Sequence, residues 1–372
     1  MRRPETRVDI IWLKIPEKIQ FGIQIPREQF SSIEQINRIT SLIEKNDFDS
    51  AWLEDHIVDG THGAIPRWFD CFTCLAMMGL RTKRLRVGSL VTDQMRRHPT
   101  TLAQTGSTIS AITEGRFILG IGAGEAYQLL PLSLPLSNRL TRLKEALDII
   151  RLIWESKPET SVSYHGRYYE LEGFSIAPIK PVHVPPIFVA AFGTKMLALT
   201  GQLGDGWLPF AYSPAAYRDD LEFILKSGQK RASMFVPACV MFSSLSTDKY
   251  EAFKRIASVS KRHVAWVPSI MRRLGLTLPE GLSLAGLSNW DYDSDKLSEF
   301  ARQIPDEVAL DSVIAGDTND WVEQIDKFVK VGLRHIIFRI EYPRAPRAEF
   351  VLKTIRSKVL PYFRDQGNSF PK

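Results

Sequence analysis

Short apolar, β-branched runs alternate with amphipathic stretches along the whole chain, and this alternation restricts the fold more than any other feature. FGIQI (21–25) precedes a helix expected near 31–45, SAWLE (50–54) one near 69–79, RVGSLV (86–91) one near 99–113, and RFILGI (116–121) one near 138–155. PIFVAA (186–191) then precedes 194–202, DGWLPF (205–210) precedes 214–227, FVPACVMF (235–242) precedes 248–263, and RHIIFRI (334–340) precedes 346–360. Within 138–155, Leu140, Leu143, Leu147, Ile150 and Trp154 share one face at the 3.6-residue period of a helix. The strand runs are continuously apolar, as parallel strands covered on both faces must be. Eight such units predict an α/β protein, a (β/α)8 TIM barrel, with a doubly wound open sheet as the alternative.

The interval between the seventh and eighth runs, about 90 residues, is too long for one crossover. Its Gly/Pro-punctuated part, 264–297, carries Trp266, Trp290 and Tyr292 and is expected to be an insertion over the barrel mouth. Residues 1–372 are then a single domain, for which a hydrophobic content of 44% supplies ample core. No apolar run reaches the roughly 18 residues of a membrane span, and residues 1–20 lack the apolar core of a signal peptide. A cytoplasmic location is expected. The formal charge of +6 is spread over short clusters such as Arg96-Arg97-His98, without a nucleic-acid-binding motif. It fits a solvated surface or an anionic small ligand. Cys71 and Cys74 form C-x-x-C inside an apolar run with no second metal-ligand pair, so they and Cys239 read as buried core thiols, and no metal is expected.

The fourth unit reads GRFILGIGAGEAY. Gly120, Gly122 and Gly124 give G-x-G-x-G, not the G-x-G-x-x-G of a dinucleotide-binding Rossmann turn. In a barrel, functional groups stand at the C-terminal ends of the strands. Those ends read EDH (54–56), TDQMRRHP (92–99), GAGE (122–125) and AAFGT (190–194). A carboxylate, an imidazole, a hydroxyl and a Gly-rich loop thus converge on one rim, a set suited to proton transfer beside a phosphate. No metal-ligand spacing or G-x-S-x-G nucleophile elbow accompanies them. Taken alone, His56 could equally be a capping or surface residue, and Glu125 a charge at a helix N-terminus.

AWLEDH, VTDQMRRHPTTLAQ, GRFILGIGAGE and VAAFGTKMLALTGQLGDGW, in that order over roughly residues 20–345, resemble the bacterial-luciferase-like flavin and deazaflavin oxidoreductases. The G-x-G-x-GE loop is similar to the coenzyme F420-dependent branch, and TD…RR.P with ILGIG.GE most resembles its phthiodiolone ketoreductase and methylenetetrahydromethanopterin reductase-like members. The resemblance implies F420 as cofactor, with FMN as the alternative. It implies that Gly122, Ala123 and Gly124 line a loop facing the cofactor, and that Ala191, Phe192, Gly193 and Thr194 receive its phosphate. Asp55 and Thr92 match positions that hydrogen-bond the ring, and Ser89–Leu90 matches the bulge behind it, which in relatives contains a non-prolyl cis peptide. His56 and Glu125 match the residues that move the proton accompanying hydride transfer; a carboxyl with a raised pKa would suit that role.

The implied activity is hydride transfer between the deazaflavin and a small or lipidic carbonyl, alcohol, imine or methylene substrate, in a homodimer. An FMN-dependent monooxygenase and a non-catalytic cofactor-binding barrel are the alternatives. One departure stands out. The lysine and arginine set that grips a sugar phosphate in the glucose-6-phosphate branch is not recognisable after the sixth run, which continues PFAYSPAAY.

Overall fold

The eight expected strands close on themselves. The computed structural model describes residues 17–26, 32–58, 69–228, 235–265, 268–277, 299–341 and 347–364. β1 (Gln20–Gln24) pairs in parallel with β2 (Ser50–Leu53) on one side and β12 (His335–Ile340) on the other. From β2 the parallel order runs through β3 (Arg86–Ser89), β5 (Phe117–Gly122), β8 (Ile187–Val189), β9 (Gly206–Trp207) and β10 (Val236–Leu245), which returns to β12. The fold is a (β/α)8 barrel, and the open sheet is excluded because no strand of the ring is left at an edge.

Trp52, Ile118, Phe188, Leu208, Val240 and Ile337 plug the lumen. Below them, at the N-terminal ends of the strands, Trp52 Nε1 donates to Ser50 Oγ at 2.7 Å, and Ser50 Oγ lies 2.7 Å from Nε2 of the fully buried His335. Helices α1 (Ile33–Lys45), α2 (Cys71–Arg81), α3 (Pro99–Ile112), α5 (Arg139–Glu155), α6 (Thr194–Leu203) and α7 (Pro214–Ser227) cover the outside. Each starts or packs for a local reason: Ser32 Oγ caps α1 by accepting from Gln35 N, and Ile36, Ile39 and Ile43 form its buried stripe. Cys71 and Cys74 are buried in α2 and Cys239 in β10, and none of the three is in a disulfide.

Three expectations are corrected. The run 86–91 is not one strand: β3 ends at Ser89, and β4 (Thr92–Asp93) resumes pairing with β5. The non-prolyl cis peptide joins Leu90 to Val91, one bond beyond Ser89–Leu90. Ser89 is held in the sheet, its Oγ donating to Gly120 O at 2.8 Å and accepting from Gly120 N at 3.0 Å, and Leu90 N still donates to Leu53 O. The ladder therefore breaks only after residue 90.

The helix after the seventh strand is not the barrel's seventh crossover helix. α8 (Lys249–Val264) packs on β10 and on an additional strand, β11 (Val313–Gly316), which pairs with the C-terminal end of β10. The place in the outer ring between α7 and the helix Arg347–Lys358 is taken by Thr318–Lys330. Most of 264–297, including Trp266, Trp290 and Tyr292, lies outside the described residues. An antiparallel hairpin, β6 (Ser161–His165) with β7 (Glu170–Ser175), is likewise additional to the expected repeat. The turn between its strands is held by Glu145, whose carboxylate accepts from the backbone N of Arg167, Tyr168 and Tyr169.

Candidate active site

The C-terminal end of β2 delivers Glu54, Asp55 and His56 to the barrel mouth. His56 Nε2 lies 3.3 Å from Glu125 Oε2, and His56 Nδ1 lies 3.9 Å from Glu54 Oε2. The imidazole therefore has a carboxylate on each side. Glu54 is itself held by Gln24 Nε2, which donates at 2.6 Å, and by Arg339 Nη1 at 3.2 Å. The Tyr127 hydroxyl sits 3.2 Å from His56 Nε2 and 3.3 Å from Nδ1, its ring edge-on to the imidazole.

Glu125 occupies the N-cap position of the short helix α4 (Ala126–Leu129), but its side chain makes no cap hydrogen bond. Its carboxylate is turned to His56 instead, which separates it from a plain helix-end charge. Burial raises its pKa, yet the hydrogen bond and charge of His56, the Tyr127 hydroxyl and the charge of Arg96 together hold it below the usual carboxylate value. The expected raised carboxyl is thus not found; opposing charges outweigh desolvation in a side chain that remains 43% exposed. The Tyr127 phenol is pushed well above its ordinary value by burial and then by the charges of Glu125 and Glu54, so it stays protonated.

Asp55 and Thr92 stand together, both almost fully buried. Thr92 Oγ1 donates to Asp55 Oδ2 at 2.7 Å, and Arg97 approaches the same carboxylate at 3.3 Å. Arg96 donates from Nε to Asp93 Oδ2 and from Nη2 to the Asp55 carbonyl, while its buried Nη1 has no hydrogen-bond partner among the described residues. Leu90 and Val91 lie half-buried on top of the lumen plug. Ser89 is fully buried and spends its hydroxyl on Gly120.

The three alternate glycines have separate roles. A Cβ on Gly120 would fall 1.9 Å from the Ser89 carbonyl oxygen, so Gly120 admits the neighbouring strand. Gly122, Ala123 and Gly124 carry the chain over the rim, and Gly124 turns it at φ +89°, a conformation that favours glycine. Arg139 Nη1 donates to the Gly124 carbonyl at 2.6 Å. Because Ala190 N donates to Ile121 O, the loop Ala191–Thr194 runs directly beside this one. Gly193, at φ +76°, is the N-cap of α6 without a side-chain cap, and no atom lies within 4 Å of where its Cβ would be. The exposed Thr194 and Lys195 follow it. Phe192 packs edge-on against Phe210 and stacks on Tyr212.

These features fit an anionic cofactor with a flat ring. An uncapped helix N-terminus beside two glycine turns offers backbone N–H donors to a phosphate. The unpartnered Arg96 Nη1 and the Leu90–Val91 step lie at the other end of the same rim. Sequence reading missed Glu54, Tyr127, Gln128, Arg96 and Arg339. Each was accessible by position, since all lie at or within a few residues of a strand's C-terminal end. Among the described residues, no group of three or more His, Cys, Asp or Glu side chains could hold a metal ion, and no helix is long and apolar enough to cross a membrane.

Residues 19–335 match the model of the luciferase-like monooxygenase family. The chain is 28% identical over 358 residues to the F420-dependent glucose-6-phosphate dehydrogenase of Microbacterium testaceum (strain StLB037), covering 93% of this chain and 98% of the relative. It is 27% identical over 353 residues to the 5,10-methylenetetrahydromethanopterin reductase of Archaeoglobus fulgidus, covering 92% and 99%. Among solved structures it is similar to an F420-dependent secondary alcohol dehydrogenase in complex with an F420-acetone adduct, with a TM-score of 0.74 and 21% identity over 92% of this chain and 98% of that one.

Proposed function

Because the chain belongs to the luciferase-like monooxygenase family and is an F420-dependent oxidoreductase within it, we propose that its barrel mouth interconverts an alcohol and a carbonyl compound, with His56 and Glu125 moving the proton. Bound F420 supplies the hydride acceptor or donor, chemistry that belongs to the cofactor. The protein's task is to hold both partners and to manage the proton. Gly122, Ala123, Gly124, Gly193 and Thr194 would hold the phosphate-bearing side of the cofactor, and Thr92, oriented by Asp55, would hold its ring together with Leu90 and Val91.

The observation that carries this reading is the His56 imidazole set between Glu125 at 3.3 Å and Glu54 at 3.9 Å. A protonated ring in that position delivers a proton to an oxygen that gains negative charge, and a neutral ring removes one from a hydroxyl. Glu125, ionised over the working range, stabilises the charged ring, while Glu54 stays tied to Arg339 and Gln24. Ala191 and Phe192 belong to the same phosphate-side loop in this reading. The Ala191 carbonyl accepts from Trp207 Nε1, and Phe192 joins an aromatic wall. In this reading the barrel is one catalytic domain.

Titrating the cofactor-free protein with oxidised F420 and with FMN, followed by gel filtration, tests the assignment. Retention of F420, and its reduction on adding an alcohol, is expected. Retention of FMN without F420 would move the protein to flavin-dependent oxygenation.

A further inference from the structure

Four rings form a continuous file that begins in the Ala191–Thr194 loop and runs to β10. The centroids of Phe192 and Phe210 are 4.8 Å apart, those of Phe210 and His263 5.4 Å, and those of His263 and Phe242 4.3 Å. Phe192 and Phe210 follow β8 and β9, and Phe242 belongs to β10. His263 comes from the last turn of α8, the helix that stands outside the eightfold repeat. Phe192, Phe210 and His263 are each only half-buried. The Arg339 guanidinium lies 5.3 Å from the Phe242 ring centroid and reaches Glu54 at 3.2 Å, so the file ends where the acid–base group begins.

The chemistry of this wall is specific. His263 Nδ1 is 2.7 Å from the Val259 carbonyl, which can only accept, so Nδ1 carries the ring proton and Nε2 keeps a lone pair. Burial lowers its pKa to about 4; the hydrogen bond to the Val259 carbonyl opposes this, the charges of Arg339 and Arg262 add to it, and Glu125 opposes it least. The ring is therefore neutral at physiological pH. The cation of Arg339 is matched by Glu54, so neither residue offers an unmatched positive charge to a phosphate or carboxylate. The segment after β9, where charged side chains would have to stand, is filled by aromatic packing: Tyr212 and Tyr217 lie 5.1 and 4.8 Å from Trp207.

We propose that this ring file is the substrate wall, that it takes a neutral, aromatic or alicyclic alcohol, and that His263 sets the specificity by accepting the alcohol's hydroxyl hydrogen bond. This rests on the oxidoreductase reading above and narrows its substrate to an uncharged class. Apolar carbon packs on the half-buried Phe192 and Phe210, which Phe242 backs from within the core, and burial of apolar surface supplies the affinity. A sugar phosphate would have to leave its charge unpaired against the same rings. A ketone of equal shape packs equally well but has no proton for His263 Nε2, so the wall favours the alcohol.

The test is equilibrium binding of 1-phenylethanol, acetophenone and glucose 6-phosphate to the F420-loaded protein by calorimetry, after F420 affinity itself has been measured. 1-Phenylethanol is expected to bind several-fold more tightly than acetophenone and at least tenfold more tightly than glucose 6-phosphate. In His263→Phe, which keeps the ring file and removes the acceptor, the alcohol-to-ketone ratio should fall to about one while F420 affinity is unchanged. If F420 does not bind, the oxidoreductase reading fails and this inference with it. If F420 binds, three results overturn the inference alone: no binding of 1-phenylethanol, tighter binding of glucose 6-phosphate, or an unaltered alcohol-to-ketone ratio in His263→Phe.

Discussion

Gln128 reaches out of α4 and pairs with the backbone at Val58 as a neighbouring strand would. Its Oε1 accepts from Val58 N at 3.1 Å and from Ile57 N at 2.8 Å, and its Nε2 donates to the Val58 carbonyl at 2.7 Å. The loop that carries His56 is thereby fixed to the helix that begins after Glu125, so one carboxamide sets the distance between the two groups. Gln128→Ala should lower kcat by about 10²-fold, the usual effect of a displacement near 1 Å at reacting groups. F420 affinity should change less than threefold. Steady-state kinetics well below the melting temperature, with kcat and KM resolved separately, checks this; an unchanged kcat would make the clamp purely structural.

His56→Ala and Glu125→Gln should each reduce single-turnover hydride transfer at saturating F420 by roughly 10² to 10⁴-fold. Their effects should be less than additive, because both act on one proton. Cofactor affinity should move less than about tenfold. Lost binding with a normal rate per bound cofactor would instead make the pair a ring anchor.

Since Glu125 is held below the ordinary carboxylate value, it ionises at a lower pH than usual. The acid limb of kcat/KM that it governs should therefore fall below the reference value of about 4.3. Glu125→Gln should remove that limb from the pH profile, and a limb retained in the variant would assign it to another group.

Two glycines of one motif should fail differently. Gly120→Ala puts a Cβ 1.9 Å from a backbone oxygen of β3, so the strands must separate and soluble, folded protein should be lost. Gly124→Val brings its Cβ within 2.9 Å of only the tip of the Leu129 side chain, and 3.5 Å of Asp93 Cβ, but forces an L side chain into φ +89°. It should weaken F420 binding, with the cofactor-free melting temperature lowered by only a few degrees. Circular dichroism melts and F420 fluorescence titrations separate the two outcomes.

His335 makes the barrel acid-sensitive. It is completely buried, its Nδ1 has no hydrogen-bond partner among the described residues, and burial, then the charge of Arg86, lowers its pKa to about 3. Between about pH 6.5 and that value the unfolded chain binds a proton that the folded chain refuses. Stability should therefore fall as pH decreases across this window, by up to about 1.4 kcal/mol per pH unit from this residue. His335→Gln should flatten the dependence of urea midpoints on pH between about 6.5 and 4, whatever it does to stability at pH 8. An equal slope in both proteins would assign the acid sensitivity elsewhere.

Much of the architecture was legible because the local signals agree with the global fold. The apolar strand runs, the stripe Leu143, Leu147, Ile150 and Trp154, and Pro99 at the start of α3 each point to the element that forms. Two elements were legible but unread. Thr318–Lys330 opens with a capping box between Asp317 and Asp320 and buries Trp321, Ile325 and Phe328 on one face. The β6–β7 hairpin alternates around HGRY. Both stand outside a plain repeat of strand and crossover helix, from which α8 also departs.

By itself the sequence determined the period of the repeat, and through it the barrel, the rim that carries function, and His56 and Glu125 as its acid–base candidates. It could do so because strand and helix periodicities, and the placing of loops at strand ends, are properties of nearby residues. Tertiary structure alone decided what those residues meet. The second carboxylate at His56, the neutral His263 in the ring file and the lowered pKa of Glu125 arise where separate strands and an inserted helix converge. Charge and desolvation at one point in space sum over every group packed around it, and no spacing along the chain records that sum.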